Sequence, residues 1–251
     1  MVAKFNIFTL EPMTYTVVSF HTTKTDLPGT YHVAFKGDDR FRHKLEVQTQ
    51  ADLGVDALDY VELYGIWFYL MGIQYAGMMR SSKNLRLVVS RGAIKRLLRE
   101  TSSKSHLFQF TNAIRTQFFG LFDIEVDKNP SWVTDLDLSA CVKWDGTPPP
   151  YPAESNPIAG PVEITYHALE RYYETTNKEG RADLIFQKVC RIVREATTQM
   201  TLPEDVQRHK SLKYGDRNKN DLYLTTKSGW QAVVSESDRG NKYVATVYMR
   251  K

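Results

Sequence analysis

The stretch "TYTVVSFHTTKTDLPGTYHVAFKGDDRFRHKLEVQTQ", Thr14 to Gln50, decides how the fold is read. Three runs inside it, "TYTVVSFHT", "TYHVAFKG" and "RHKLEVQTQ", are rich in β-branched and aromatic residues, and "DLPG" and "GDDR" separate them as turns. That pattern predicts an antiparallel meander. Downstream the period changes. A long helix is expected from about Val55 to Ala76, with Asp52 or Asp56 available as its N-cap. A buried strand at "NLRLVVS", helices at "GAIKRLLRETS" and "HLFQFTNAIRTQFFG", a strand at "FDIEVD" and a last helix at "SWVTDLDLSACVKW" complete the first part.

The segment "WDGTPPPYPAESNPIAGP", Trp144 to Pro161, holds six prolines and two glycines in eighteen residues. Proline removes an amide donor and fixes φ, so the stretch reads as a semi-rigid linker over residues 146–161. It divides the chain into a domain at 1–145 and another at 162–251. In the second, "EITYHALERYYETT" and "RADLIFQKVCRIVREATT" read as helices and "QRHKSLKYGDRNKN" as a polar, basic segment. Then "LYLTTKSG", "WQAVVSES" and "KYVATVYMRK" read as three strands. The fold class is therefore α+β with two domains, an N-terminal three-layer α/β unit and a C-terminal helix-plus-antiparallel-sheet unit.

Composition narrows the function classes. The chain has 251 residues, 42% of them hydrophobic, which is enough to build a core for each domain. The net charge of +4 is unevenly placed: residues 1–160 carry 17 Lys/Arg and 17 Asp/Glu, whereas residues 161–251 carry 16 and 12. The excess in the last third points to a polyanionic partner. Cys141 and Cys190 lack metal-type spacing and no secretion signal is read at the start, so a cytoplasmic protein with free, buried thiols is expected, an inter-domain disulfide being the alternative. "LYGIWFYLMGIQYAGMM", Leu63 to Met79, is almost wholly apolar, but Asp56, Asp59 and Glu62 before it make a buried helix the better reading than a membrane span.

The order of elements over about Thr14 to Trp144 resembles the ribonuclease H-like fold. Members that cut nucleic acid hold two metal ions with carboxylates from the first strand, the first helix, the end of the fourth strand and the last helix. Here Ser19 and His21 stand in "VVSFH" and Ser90 in "VVSRG", where acids would be needed. Glu62, and Asp135 or Asp137, are the remaining matches, so the resemblance implies a catalytically silent domain with no metal or other cofactor. Arg91, Lys95, Arg96 and Arg99 lie at helical spacing, either as a phosphate-binding face or as a solvated one.

The C-terminal layout resembles the small ribonuclease toxins that include barnase, RelE and the colicin ribonucleases. The matching residues are His167, Ala168 and Arg171 in "HALER" and the closing "VATVYMR". Cutting RNA without metal needs a proton-transfer group and a cation for the phosphorane. His167 and Arg171 share a helical face, and Thr246, Tyr248 and Arg250 alternate on a strand against Ala245, Val247 and Met249. The candidate catalytic residues are thus His167, Arg171, Tyr248 and Arg250. Candidate nucleic-acid contacts are Arg91, Lys95, Lys210, Lys213, Arg217, Lys219, Lys227 and Tyr214. Tyr172, Tyr173, Tyr223 and Trp230 are further rings for stacking unpaired bases or for the core, Trp230 being read as packed.

These observations predict an RNA-directed nucleic-acid-binding protein, single strands preferred, with metal-independent ribonuclease activity in its C-terminal domain. A non-catalytic protein that docks on a nucleic-acid enzyme or on the translation apparatus is the alternative. A third reading keeps a metal nuclease in the first domain, using Glu62, Asp135 and Asp137 with Asp123 or Asp127.

Overall fold

The computed structural model describes residues 16–37, 41–73, 84–121, 123–129, 131–134, 136–177, 181–214, 220–237 and 240–249. The expected meander forms as β1 (Thr16–Lys24), β2 (Thr30–Lys36) and β3 (Arg42–Gln48), each antiparallel to its predecessor. Helix α1 (Ala57–Trp67) follows and runs on into a π-helical turn at Phe68–Gly72; the expected end at Ala76 lies outside the described residues. Then come β4 (Leu85–Val89), α2 (Gly92–Leu98), α3 (Phe108–Gln117) and β5 (Ile124–Val126). Strands β4 and β5 extend the sheet beside β1 in parallel, giving the order β5-β4-β1-β2-β3 before one further strand.

That further strand corrects the sequence reading. Leu138–Lys143, expected inside a last helix, is β6, which pairs in parallel with β3. The open edge of β3 offers a row of backbone donors and acceptors, and pairing with it outweighs the weak helical periodicity of "TDLDLSACVKW". At the end of β6, Trp144 folds back onto the core, stacked on Tyr64 at 4.7 Å with its indole N–H donating to Thr147 O at 2.9 Å.

The proline-rich stretch is also more ordered than a linker. Ala153–Asn156 (β7) and Gly160–Ile164 (β8) form a hairpin that begins the second sheet. Its prolines are tolerated because Pro157 sits in the turn and Pro161 comes before the point, at Glu163, where β8 begins to pair with β12. The turn is held by Asn156, whose buried amide donates to Val193 O and Ala196 O and accepts from the Ile158 and Ala159 amides.

Helices α4 (Tyr166–Thr175) and α5 (Ile185–Glu195) follow, then β9 (Thr198–Met200), α6 (Glu204–Tyr214), β10 (Leu222–Thr225), β11 (Trp230–Glu236) and β12 (Lys242–Met249). The second sheet runs β7-β8-β12-β11-β10-β9, so the three closing strands lie within a six-stranded sheet. Residues 207–214, read as part of a polar loop, are helical. Leu169, Tyr172, Val189 and Val193 pack on Leu224, Ala232, Val234, Val244 and Val247. The register slips between Val233 and Val234, so the expected Ala245/Val247/Met249 stripe is replaced: Val244 and Val247 are buried and Met249 is 44% exposed.

The two sheets meet through α3 and α4. Arg115, only 7% exposed, lies 3.8 Å over the Tyr166 ring and pairs with Glu100 at 2.5 Å, while Phe119 joins the core of the second unit. No helix among the described residues is long and apolar enough to cross a membrane. Cys190 is buried on α5 as expected, but Cys141 is exposed because β6 is a surface strand.

Asn156→Ala should remove four hydrogen bonds from one buried site and lower stability by roughly 2–4 kcal/mol, given about 1–3 kcal/mol for each group left unpaired and partial relaxation. Equilibrium urea unfolding reads this directly; a loss below about 0.5 kcal/mol would contradict the role assigned to the side chain.

Candidate functional site

Where β1, β4 and β5 end in parallel, the sheet order reverses direction around β1, the kind of place where α/β sheets form a crevice. Helix α1 crosses just beside it. It can approach closely because Gly65 sits against β2: a Cβ there would lie 2.5 Å from Val33 Cγ1. One turn earlier on the same helix, Asp59 and Glu62, three residues apart, face the ends of the strands. Asp59, with His21, Thr22, Ser90, Arg91, Lys104 and Lys128, lines a crevice of about 430 Å³, and Glu62 lies behind Ser90.

Glu62 is fully buried. Its Oε1 accepts from the Ser90 backbone amide at 2.8 Å and its Oε2 accepts from the Ser90 hydroxyl. Burial pushes its carboxyl up to about 7, with the two Ser90 bonds working against that rise. Asp59 is as deep but charge-paired, with Lys104 Nζ at 2.5 Å from Oδ2 and Arg91 Nε at 3.7 Å from Oδ1. Lys104 also binds Asp56 at 2.6 Å, which holds that carboxyl below the usual range and raises the ammonium. His106 approaches Asp56 from outside at 2.9 Å. Burial lowers the His21 imidazole, helped by Arg91 and opposed by Asp127. His21 Nδ1, Thr22 Oγ1 and Asp59 Oδ1 are all buried without a hydrogen bond of normal geometry, and all three residues line this crevice.

The donor set does not suit a pair of hard dications, which need several convergent carboxylates. Both Glu62 oxygens are taken by Ser90. Asp123 binds Arg86 at 2.9 Å at the start of β5, and Asp137 precedes β6, so both lie at the opposite end of the sheet from Ser90. Asp127 is near the crevice, and Asp135 lies outside the described residues. No group of three potential metal ligands occurs among the described residues.

The C-terminal candidates do not converge. His167 and Arg171 project from the solvent side of α4, His167 lying 3.8 Å from Glu170 and Arg171 paired with Glu174 at 2.9 Å. Tyr248 follows the core-facing Val247 on β12, so it points to the sheet face turned away from α4. Arg217, Lys219 and Arg250 lie outside the described residues, and Lys210, Lys213 and Tyr214 fall within α6. Lys227 is exposed in the turn between β10 and β11, far from the first crevice in the chain and held by a different sheet. Trp230 is packed as expected, stacked on Tyr172 at 4.7 Å, which makes Tyr172 a core ring; Tyr223 is buried as well. Of the N-terminal candidates, Arg91 lines the crevice and Lys95 is half-buried on α2.

Comparison with protein-family models, curated proteins and solved structures finds no match. The crevice is therefore defined by its own geometry. Asp59, Lys104 and Lys128 were not singled out as a site in the sequence. The one available signal was the Asp59/Glu62 spacing, which puts two acids on one face of an otherwise apolar helix.

Glu62 carries a pH prediction. Its folded carboxyl holds a proton more tightly than the unfolded chain does, so its contribution is complete below the ordinary value of 4.5 and is lost as pH rises to about 7. The loss is on the order of 3 kcal/mol. Asp56, lowered by Lys104, acts in the opposite sense and at lower pH. Urea midpoints between pH 5.5 and 8 should fall for the wild-type chain and stay nearly level in Glu62→Gln; parallel profiles would refute the assignment.

Proposed function

We propose that the protein binds nucleic acid, single-stranded RNA being the class favoured by the sequence, through the crevice at the ends of β1, β4 and β5. The observation that carries this reading is the set of Arg91, Lys104 and Lys128 around the crevice, with the Glu62 carboxyl behind it sealed by Ser90 and raised by burial to about 7, so that it is only partly ionised near neutral pH. Charge that would repel a phosphate is thereby reduced at the floor of the site, while the cations remain on its walls. Arg91 and Lys128 keep contact with solvent and can reach a phosphodiester. Lys95, one turn along α2, extends the same side.

The strand order β5-β4-β1-β2-β3, with the first three strands antiparallel and the next two parallel to β1, supports a ribonuclease H-like reading of this unit. In that reading His21 and Ser90 replace acids, and metal-assisted hydrolysis is not part of the function. The basic helix α6 and Lys227 are a second region able to meet a polyanion. His167, Arg171 and Tyr248 carry no part of the proposal, since they lie on different faces.

Fluorescence anisotropy with a labelled single-stranded RNA across a salt series tests the proposal. The double variant Arg91→Ala, Lys128→Ala should bind about 10-fold more weakly at low salt, with the slope of log K against log salt reduced by about 1–2. Unchanged affinity and slope would move binding away from the crevice. No binding by the wild-type chain at low salt would favour the protein-docking alternative.

A further inference from the structure

We propose that Ser90 is a nucleophile for phosphodiester cleavage in this crevice, with Glu62 as its base. The choice of an anionic phosphodiester as substrate rests on the nucleic-acid reading of the cationic walls; the nucleophile–base pair rests on independent geometry. Ser90 directly follows β4, and Arg91 and α2 follow it without a loop, so it occupies a strand-to-helix turn. Such a turn presents a side chain at the end of a sheet, the arrangement that several serine hydrolases use for their nucleophile.

The hydrogen-bond pattern fits that role. Ser90 Oγ donates to Glu62 Oε2, so the acceptor for the hydroxyl proton is already in place. The backbone amide of Ser90 binds Oε1 and fixes the carboxyl plane. Glu62 is raised by burial into the neutral range, where a base is both partly ionised and strong enough to draw a proton. Arg91 and Lys128 line the same crevice as Ser90 and supply cations for charge growing on phosphoryl oxygens, whereas Lys104 is already matched by Asp56 and Asp59. Ser90 is mostly buried but lines the crevice.

The step balances with water as the only co-reactant. The Ser90 Oγ–P bond forms as the P–O bond to the leaving alcohol breaks. The hydroxyl proton passes to Glu62, and the departing oxygen leaves with the bonding pair and takes a proton from solvent. Water then attacks phosphorus, the Oγ–P bond breaks, and protons exchanged through Glu62 restore the hydroxyl. No electron donor or acceptor is needed.

The test uses the full chain, a chelator and bis(4-nitrophenyl) phosphate, reading 4-nitrophenolate release together with the mass of the Ser90-containing peptide. Release with a 4-nitrophenyl phosphoryl group on Ser90 is expected, and both signals should fall by at least about 100-fold in Ser90→Ala and in Glu62→Gln. Ser90→Thr, which keeps the hydroxyl, should retain part of the adduct. Undiminished release by a folded Ser90→Ala chain overturns the proposal, as does a wild-type chain that gives neither release nor adduct. If the substitutions unfold the chain, the wild-type peptide decides: modification at Ser90 supports the chemistry and an unmodified peptide refutes it. Release and adduct from a chain that fails to retain single-stranded RNA would uphold Ser90 while ending the nucleic-acid reading, so the two failures are distinct.

Discussion

A carboxyl group with no contact with water needs donors, and Glu62 obtains two of them from a single residue. Ser90 contributes its amide and its hydroxyl, joining the middle of α1 to the turn between β4 and α2. This link fixes where the helix lies along the sheet. It depends on the absence of a side chain at Gly65, because any Cβ there would meet Val33. The crevice is thus a product of packing: close approach of helix to sheet buries the acid, and the acid then orders the turn that carries Arg91.

Much of the first sheet was legible because its strands announce themselves by composition and alternation. β1, β2 and β3 are bounded by turn residues, and in β4 Leu85, Leu87 and Val89 alternate onto the core side. β6 was not legible. Its residues are nearly all exposed, so no hydrophobic period marks it, and only the free edge of β3 makes it a strand. The hairpin of β7 and β8 was hidden for a related reason. Prolines argue against a central strand, whereas β7 lies at an edge and Asn156 supplies from its side chain the hydrogen bonds that the turn requires.

The site was only half readable. His21 and Ser90 could be recognised as departures from an acidic pattern, but their meeting with Asp59, Lys104 and Lys128 joins residues from one strand, one helix, one turn and two loops. No spacing along the chain records such a meeting. The opposite error arose in the second unit. His167 and Arg171 are four residues apart on one helical face, which the structure bears out, yet helical periodicity does not say whether that face meets the sheet or the solvent. The bulge opposite Val233 further shifts which β12 side chains face the helices, and nothing in "VATVYMR" announces it.

The seam between the sheets has a bearing on the chain's modularity. Phe119 belongs by sequence to the first half but packs with residues of the second, and the Arg115 guanidinium is sandwiched between Glu100 and Tyr166. Cutting the polypeptide near its prolines would therefore strand a phenyl ring in water and deprive a deeply set cation of its aromatic cover. Either half made on its own would need that seam re-dressed with polar side chains.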